Sequence, residues 1–169
     1  MNTRTVLYSV ILVVIAVLQT NVLDAAAIGG VKPDLALIVI ACFSVTNGSF
    51  EGQIGAFVGG LVEDLLSLAP PGFHMLVRAL TGYLYGLLQD RMLVDAVLVP
   101  VILVAVGTLI KALVAAAVAA AFGVSGVATI VLSSRLWVEL IYNAVLAPIV
   151  FGLLRLVKPL TRSRRETTI

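Results

Sequence analysis

Three ionisable side chains stand in runs that otherwise carry no charge: Glu63 and Asp64 in VGGLVEDLLSL, and Arg78 in HMLVRALTG. A charge in an apolar medium costs several kcal/mol unless it is paired or hydrated, so each needs a partner. The turn between the two runs centres on Pro71, with Asp64 seven residues before it and Arg78 seven after. At about 1.5 Å per residue both lie about 10 Å from the turn, which predicts an Asp64–Arg78 pair across a helical hairpin. Glu63 then points about 100° away, towards a cavity, another helix or a partner. Such a pair either fixes the hairpin register or serves as a proton or ion site, and the structural role is the simpler reading. A second constellation is Arg135, Glu139 and Asn143, spaced by four and hence on one helix face. This stripe should face protein rather than lipid. Pro148 a turn later should kink the helix or leave a carbonyl in need of another partner. Lys111 can snorkel or reach towards the stripe.

Other chemistry-bearing residues are sparse. His74 is the only histidine and Cys42 the only cysteine. The first reads as a hydrogen-bonded interfacial histidine beside a turn, the second as a packed core thiol with no partner for a disulfide. The sequence contains no HExxH, Walker or GxSxG motif and no metal-spaced Cys/His cluster, so no catalytic, cofactor or metal residue is assigned and a non-enzymatic class is expected.

The elements that hold these residues are set by composition. Hydrophobic residues make up 61% of the 169 positions and charged residues 12%, and the mean hydropathy is +1.15. A soluble domain of this size needs more polar surface. The long, continuous apolar runs predict an all-α, polytopic membrane protein, because backbone groups in lipid must pair within their own segment. Six transmembrane helices are expected, at about 6–23, 35–46, 52–68, 73–88, 94–122 and 134–157. The second is short for a span. Residues 1–158 then form one transmembrane domain and 159–169 a short basic tail, which anchors the topology or touches anionic lipid headgroups. With every segment spanning, Arg4, Arg91, Lys158, Arg162, Arg164 and Arg165 fall on one side, and Lys32 and Arg135 on the other. The positive-inside rule then puts both termini in the cytoplasm. Tyr8 and Trp137 are expected as interfacial anchors. The net charge of +2 gives no reason to invoke nucleic acid.

Small residues recur at helical spacing. Gly55 and Gly59 form a GxxxG followed by Gly60, Gly48, Gly52 and Ala56 form a second row, and Gly82 and Gly86 a third. These rows allow close approach of helix backbones, either within the chain or to a partner, a second copy included.

The order Lys32-Pro33-Asp34, then Gly48, Gly55, Gly59, Gly60-Leu61, Asp64, Pro71-Gly72, Gly82-Tyr83 and Gly86, then Tyr142-Asn143-Ala144 and Pro148 before a basic tail, resembles the bacterial rod shape-determining protein MreD family. The resemblance implies an inner-membrane, non-enzymatic scaffold or regulator of the cell-elongation machinery, supporting rod shape and sidewall peptidoglycan synthesis. It implies MreC as partner, within a wider assembly of MreB, RodA and a penicillin-binding transpeptidase. It further implies a fold like the six-helix membrane substrate-binding subunits of energy-coupling-factor transporters. Two other classes are open on the residues alone. A small-molecule carrier would use Glu63, Arg78 and Glu139 around a mid-membrane cavity. An intramembrane enzyme would use Asp64 or His74.

Overall fold

The computed structural model describes residues 3–21, 27, 30–89, 98–123 and 133–156. Among these, six α-helices and no strands are found: α1 Thr3–Asn21, α2 Leu35–Asn47, α3 Ser49–Leu66, α4 Phe73–Gly86, α5 Leu98–Ala121 and α6 Ser134–Leu156. The start expected for the fifth segment (94–97), residue Val157 and the basic tail lie outside the described residues, as do Arg91, Lys158, Arg162, Arg164 and Arg165. Among the described residues two helices, α5 and α6, are long and apolar enough to cross a membrane.

The bundle is built around α2. Every residue from Ala36 to Ser44 is buried, so this helix has protein on all sides. That explains a sequence apolar all round and a length of 13 residues, about 20 Å against a hydrocarbon core of about 30 Å. Helices α1, α3, α4, α5 and α6 each pack against it. Gly48, at φ +100°, ends α2 and begins α3 with no intervening loop. Its left-handed backbone angle is one that a side chain would strain.

Helices consecutive in the chain run in alternating directions. Tyr8 meets Gly55 and Leu12 meets Gly59, so α1 and α3 are parallel. Tyr8 also stacks on Phe43, with ring centroids 3.8 Å apart, while Gln19 reaches Pro33 and Ala36, so α1 and α2 are antiparallel. Gly60 lies against His74 and Gly86 against Ser49, an antiparallel α3–α4 hairpin. Tyr85 donates to the Leu103 carbonyl and its ring covers Gly107, while Arg78 and Lys111 share Asp34, so α5 runs antiparallel to α4. Thr108 with Asn143 and Lys111 with Glu139 make α6 antiparallel to α5.

Polarity is inverted relative to a soluble protein. Outward faces carry Val6, Val10 and Val14 on α1, Phe57, Leu61 and Leu65 on α3, Leu76 and Leu80 on α4, Ile102, Val106 and Leu113 on α5, and Trp137, Ile141, Val145 and Ile149 on α6. Asp34, Arg78, Asn143, Thr108, Thr81 and Ser44 are buried instead. Tyr8 departs from expectation. It is fully buried between α2 and α3, because Gly55 leaves a slot for its ring, and it does not sit at an interface. Pro148 lies inside one uninterrupted helix.

Candidate functional site: a buried row of alternating charge

Asp34 is the centre of the site. It precedes α2 and caps it, its Oδ1 accepting from the Leu37 N–H at 2.9 Å. An N-cap carboxylate satisfies an orphan donor and lies at the positive end of the helix dipole. Because α2 is central, its cap is buried too, at 5% exposure. Arg78 Nη1 donates to both Asp34 oxygens, at 2.9 and 2.8 Å. The other edge of the same guanidinium forks onto Glu63, Nε to Oε2 at 3.0 Å and Nη2 to Oε1 at 2.8 Å. Lys111 Nζ donates to Asp34 Oδ2 at 2.7 Å and also pairs with Glu139. The result is a row Glu63–Arg78–Asp34–Lys111–Glu139 that alternates in sign from α3 through α4, the α2 cap and α5 to α6.

Neutral groups close the shell. Asn143 Oδ1 accepts from the Asp34 backbone N–H at 2.8 Å, and its Nδ2 donates to Thr108 Oγ1 at 3.2 Å. Gln19 ties α1 to the same level through the Pro33 carbonyl and the Ala36 N–H. All six helices therefore meet in one hydrogen-bonded layer. Both partners of each buried ion are present, the condition under which low dielectric strengthens a network rather than penalising it.

The expected Asp64–Arg78 pair is replaced by a different arrangement. Asp64 caps the start of α4, Oδ2 accepting from the N–H groups of Gly72 (3.0 Å) and Met75 (3.1 Å) and Oδ1 from that of His74 (2.8 Å). Glu63, expected to turn away, is the residue that meets Arg78. The pairing differs from equal spacing about the turn because α3 ends at Leu66 and α4 begins only at Phe73. Asp64 thus lies beside the first turn of α4, while Glu63 faces the next. Of the α6 stripe, Glu139 and Asn143 join the row, but Arg135 is exposed, one turn nearer the helix end. Asp34 lies in a polar loop of the sequence and does not stand out there as a charge in need of a partner, although Pro33-Asp34 before an apolar run is an N-cap signal. Lys111 reaches the α6 stripe at Glu139.

Each glycine row meets a neighbour within the chain. Gly55 and Gly59 receive Tyr8 and Leu12 of α1. A Cβ on Gly60 would stand 2.6 Å from the His74 carbonyl oxygen, and one on Gly82 would stand 2.7 Å from that of Gly52. Gly86 lies on the backbone of Ser49. Cys42 is buried in α2 as a free thiol. His74 is half-buried, its Nδ1 3.7 Å from Glu63 Oε2, on a crevice of about 240 Å³ lined also by Gln19, Lys32, Ser67 and Arg78.

The geometry of this layer is suited to fixing helices against one another. Comparison with known proteins is informative at the level of family alone. No curated protein matches the chain. No solved structure matches it either, so the likeness in fold to transporter substrate-binding subunits is without support. The family model described as rod shape-determining protein MreD matches residues 1–157, nearly the whole length. That match carries a membrane-protein class and a role in determining rod shape, and the chain belongs to the MreD family.

Proposed function

We propose that this protein is a six-pass, non-enzymatic scaffold of the bacterial cytoplasmic membrane, with both termini in the cytoplasm, that binds MreC and supports sidewall peptidoglycan synthesis within the elongation machinery. MreB, RodA and a penicillin-binding transpeptidase are the wider partners on this reading. The observation that carries it, beside the family match, is the inverted polarity of the bundle. Charges converge inwards on one another, and the outward faces of α1, α3, α4, α5 and α6 offer apolar side chains at helical spacing. Such a body works on partners through its helix faces and short turns, as a docking surface for the transmembrane helix of MreC would. The alternating helix directions support six passes, and basic residues in the loops support the orientation.

Co-expression with MreC of the same organism, with a tag on one chain, tests the proposal. Stoichiometric recovery of the untagged chain in detergent, against an unrelated membrane protein as competitor, is the expected result. No recovery in detergent or in nanodiscs, with the protein folded, contradicts it. The rival reading as a small-molecule carrier needs polar groups free to receive a ligand. Glu63 and Arg78 are instead bound to each other and Glu139 is bound to Lys111, which favours the scaffold.

A further inference from the structure

The row, buried at Asp34 and Arg78 and part-buried at its ends, holds three carboxylates, Glu63, Asp34 and Glu139, against two cations, Arg78 and Lys111. It therefore lacks one positive charge. Its Glu63 end borders the crevice beneath the α3–α4 turn, and there stands the chain's only histidine, with a side chain 32% exposed. Glu63 Oε2 already accepts from Arg78 Nε at 3.0 Å, and His74 Nδ1 lies 3.7 Å from the same oxygen. The imidazole is positioned rather than free. Its backbone N–H donates to Asp64, and its ring meets Phe73 edge-on at 5.3 Å.

We propose that His74 and Glu63 form a proton-responsive latch at the mouth of this crevice. A proton taken from the adjoining solution makes the imidazole a cation and a second partner for Glu63 Oε2, in competition with Arg78 Nε. The row then reaches three charges of each sign, and Glu63 is shared between residue 74 at the start of α4 and residue 78 one turn deeper. Loss of the proton returns Glu63 to Arg78 alone. The other groups facing this corner are Asp64 from α3, Ser67 just past its end, Gln19 from α1, and Lys32 and Asp34 from the segment before α2. Asp64 is held by three backbone N–H groups and Asp34 by Arg78 and Lys111. Lys32 Nζ is directed at the Gln19 carbonyl at 3.5 Å. Glu63 is thus the carboxylate placed to answer a change at His74.

The single histidine makes the test direct. The full chain in nanodiscs, with labelled histidine, yields one imidazole signal to follow by NMR against pH. In Glu63→Gln the titration midpoint falls by about half a unit or more, since the partner that favours the charged ring is gone. An unchanged midpoint in a variant that keeps its helical content overturns the proposal. Should that variant fail to fold, the wild-type chain still decides the matter. The slowly exchanging Nε–H signal of buried Arg78 shifts with the same midpoint as His74 if the two compete for Glu63. An Arg78 signal that stays still through the histidine titration overturns the latch.

Discussion

Four hydrogen bonds run from Arg78 to the carboxylates of Glu63 and Asp34, which makes this one side chain the joint between α3, α4 and the α2 cap. Removing it leaves the buried Asp34 and the part-buried Glu63 with one fewer counter-charge. Arg78→Gln should cost about 3–5 kcal/mol of stability, the range for breaking a buried pair from one side. Arg78→Lys should recover only part of this, because an ammonium cannot fork onto two carboxylates in one plane. Asp64→Ala removes a helix cap and should cost less, about 1–2 kcal/mol. Denaturant or thermal unfolding in detergent ranks the three, and an Asp64 variant less stable than Arg78→Gln would contradict the roles assigned here. At this scale the sequence was legible in residue type but not in pairing. Glu63, Asp64, Arg78, Glu139 and Asn143 stand out because charge and amide groups are rare in the chain. Which carboxylate meets Arg78 depends on where α3 stops, and a residue count across Pro70-Pro71-Gly72 does not contain that. Asp34 is adjacent to Lys32 and Pro33 and reads as a loop charge until the burial of α2 draws it inside.

Close helix approach depends on glycines whose missing side chains make room for named neighbours. Gly60→Ala would push its methyl against the backbone of His74 and Met75, 2.6 and 2.7 Å away, and backbone yields less readily than a side-chain end. Gly152, in α6, has nothing within 4 Å of where its Cβ would be. We expect Gly60→Ala to destabilise the α3–α4 hairpin by about 1–3 kcal/mol, as overpacking does. Gly152→Ala should be neutral or stabilising by up to about 1 kcal/mol through helix propensity. Thermal midpoints of the two variants check this, and equal effects would show that Gly60 is not at a tight crossing. Helix positions were largely readable: α2, α4 and α6 begin at the residues expected, since Asp34, Gly72 and the Ser133-Ser134 pair are start signals. The ends of α3 and α4 fall two residues earlier than expected, because an apolar run continues past the last helical hydrogen bond into the turn. The neighbours of the glycine rows were not readable, as GxxxG marks close packing without naming what packs.

At the scale of the molecule one property dominates among the described residues: apolar side chains face outwards while Glu63, Arg78, Asp34, Lys111 and Glu139 converge within. Composition announced it, and the alternation of helix directions gives it a shape, with the α3–α4 turn at one end of the bundle and the α2–α3 junction at the other. The short central helix is what hydropathy alone leaves undecided, for α2 is too short to span a bilayer by itself and depends on the ring of helices around it. If α2 crosses with its neighbours, the two ends of α3 lie on opposite sides of the membrane. Single cysteines in a Cys42→Ala background test this most directly. Leu68→Cys marks the α3–α4 turn, where the side chain is fully exposed, and Phe50→Cys marks the first turn of α3, where it is 70% exposed. With a membrane-impermeant maleimide on cells whose outer envelope is permeable to it, Leu68→Cys should label in intact cells. Phe50→Cys should label only once the cytoplasmic membrane is opened. Labelling of both from the outside, or of neither until the membrane is opened, would place the ends of α3 on one side and contradict the six-pass bundle.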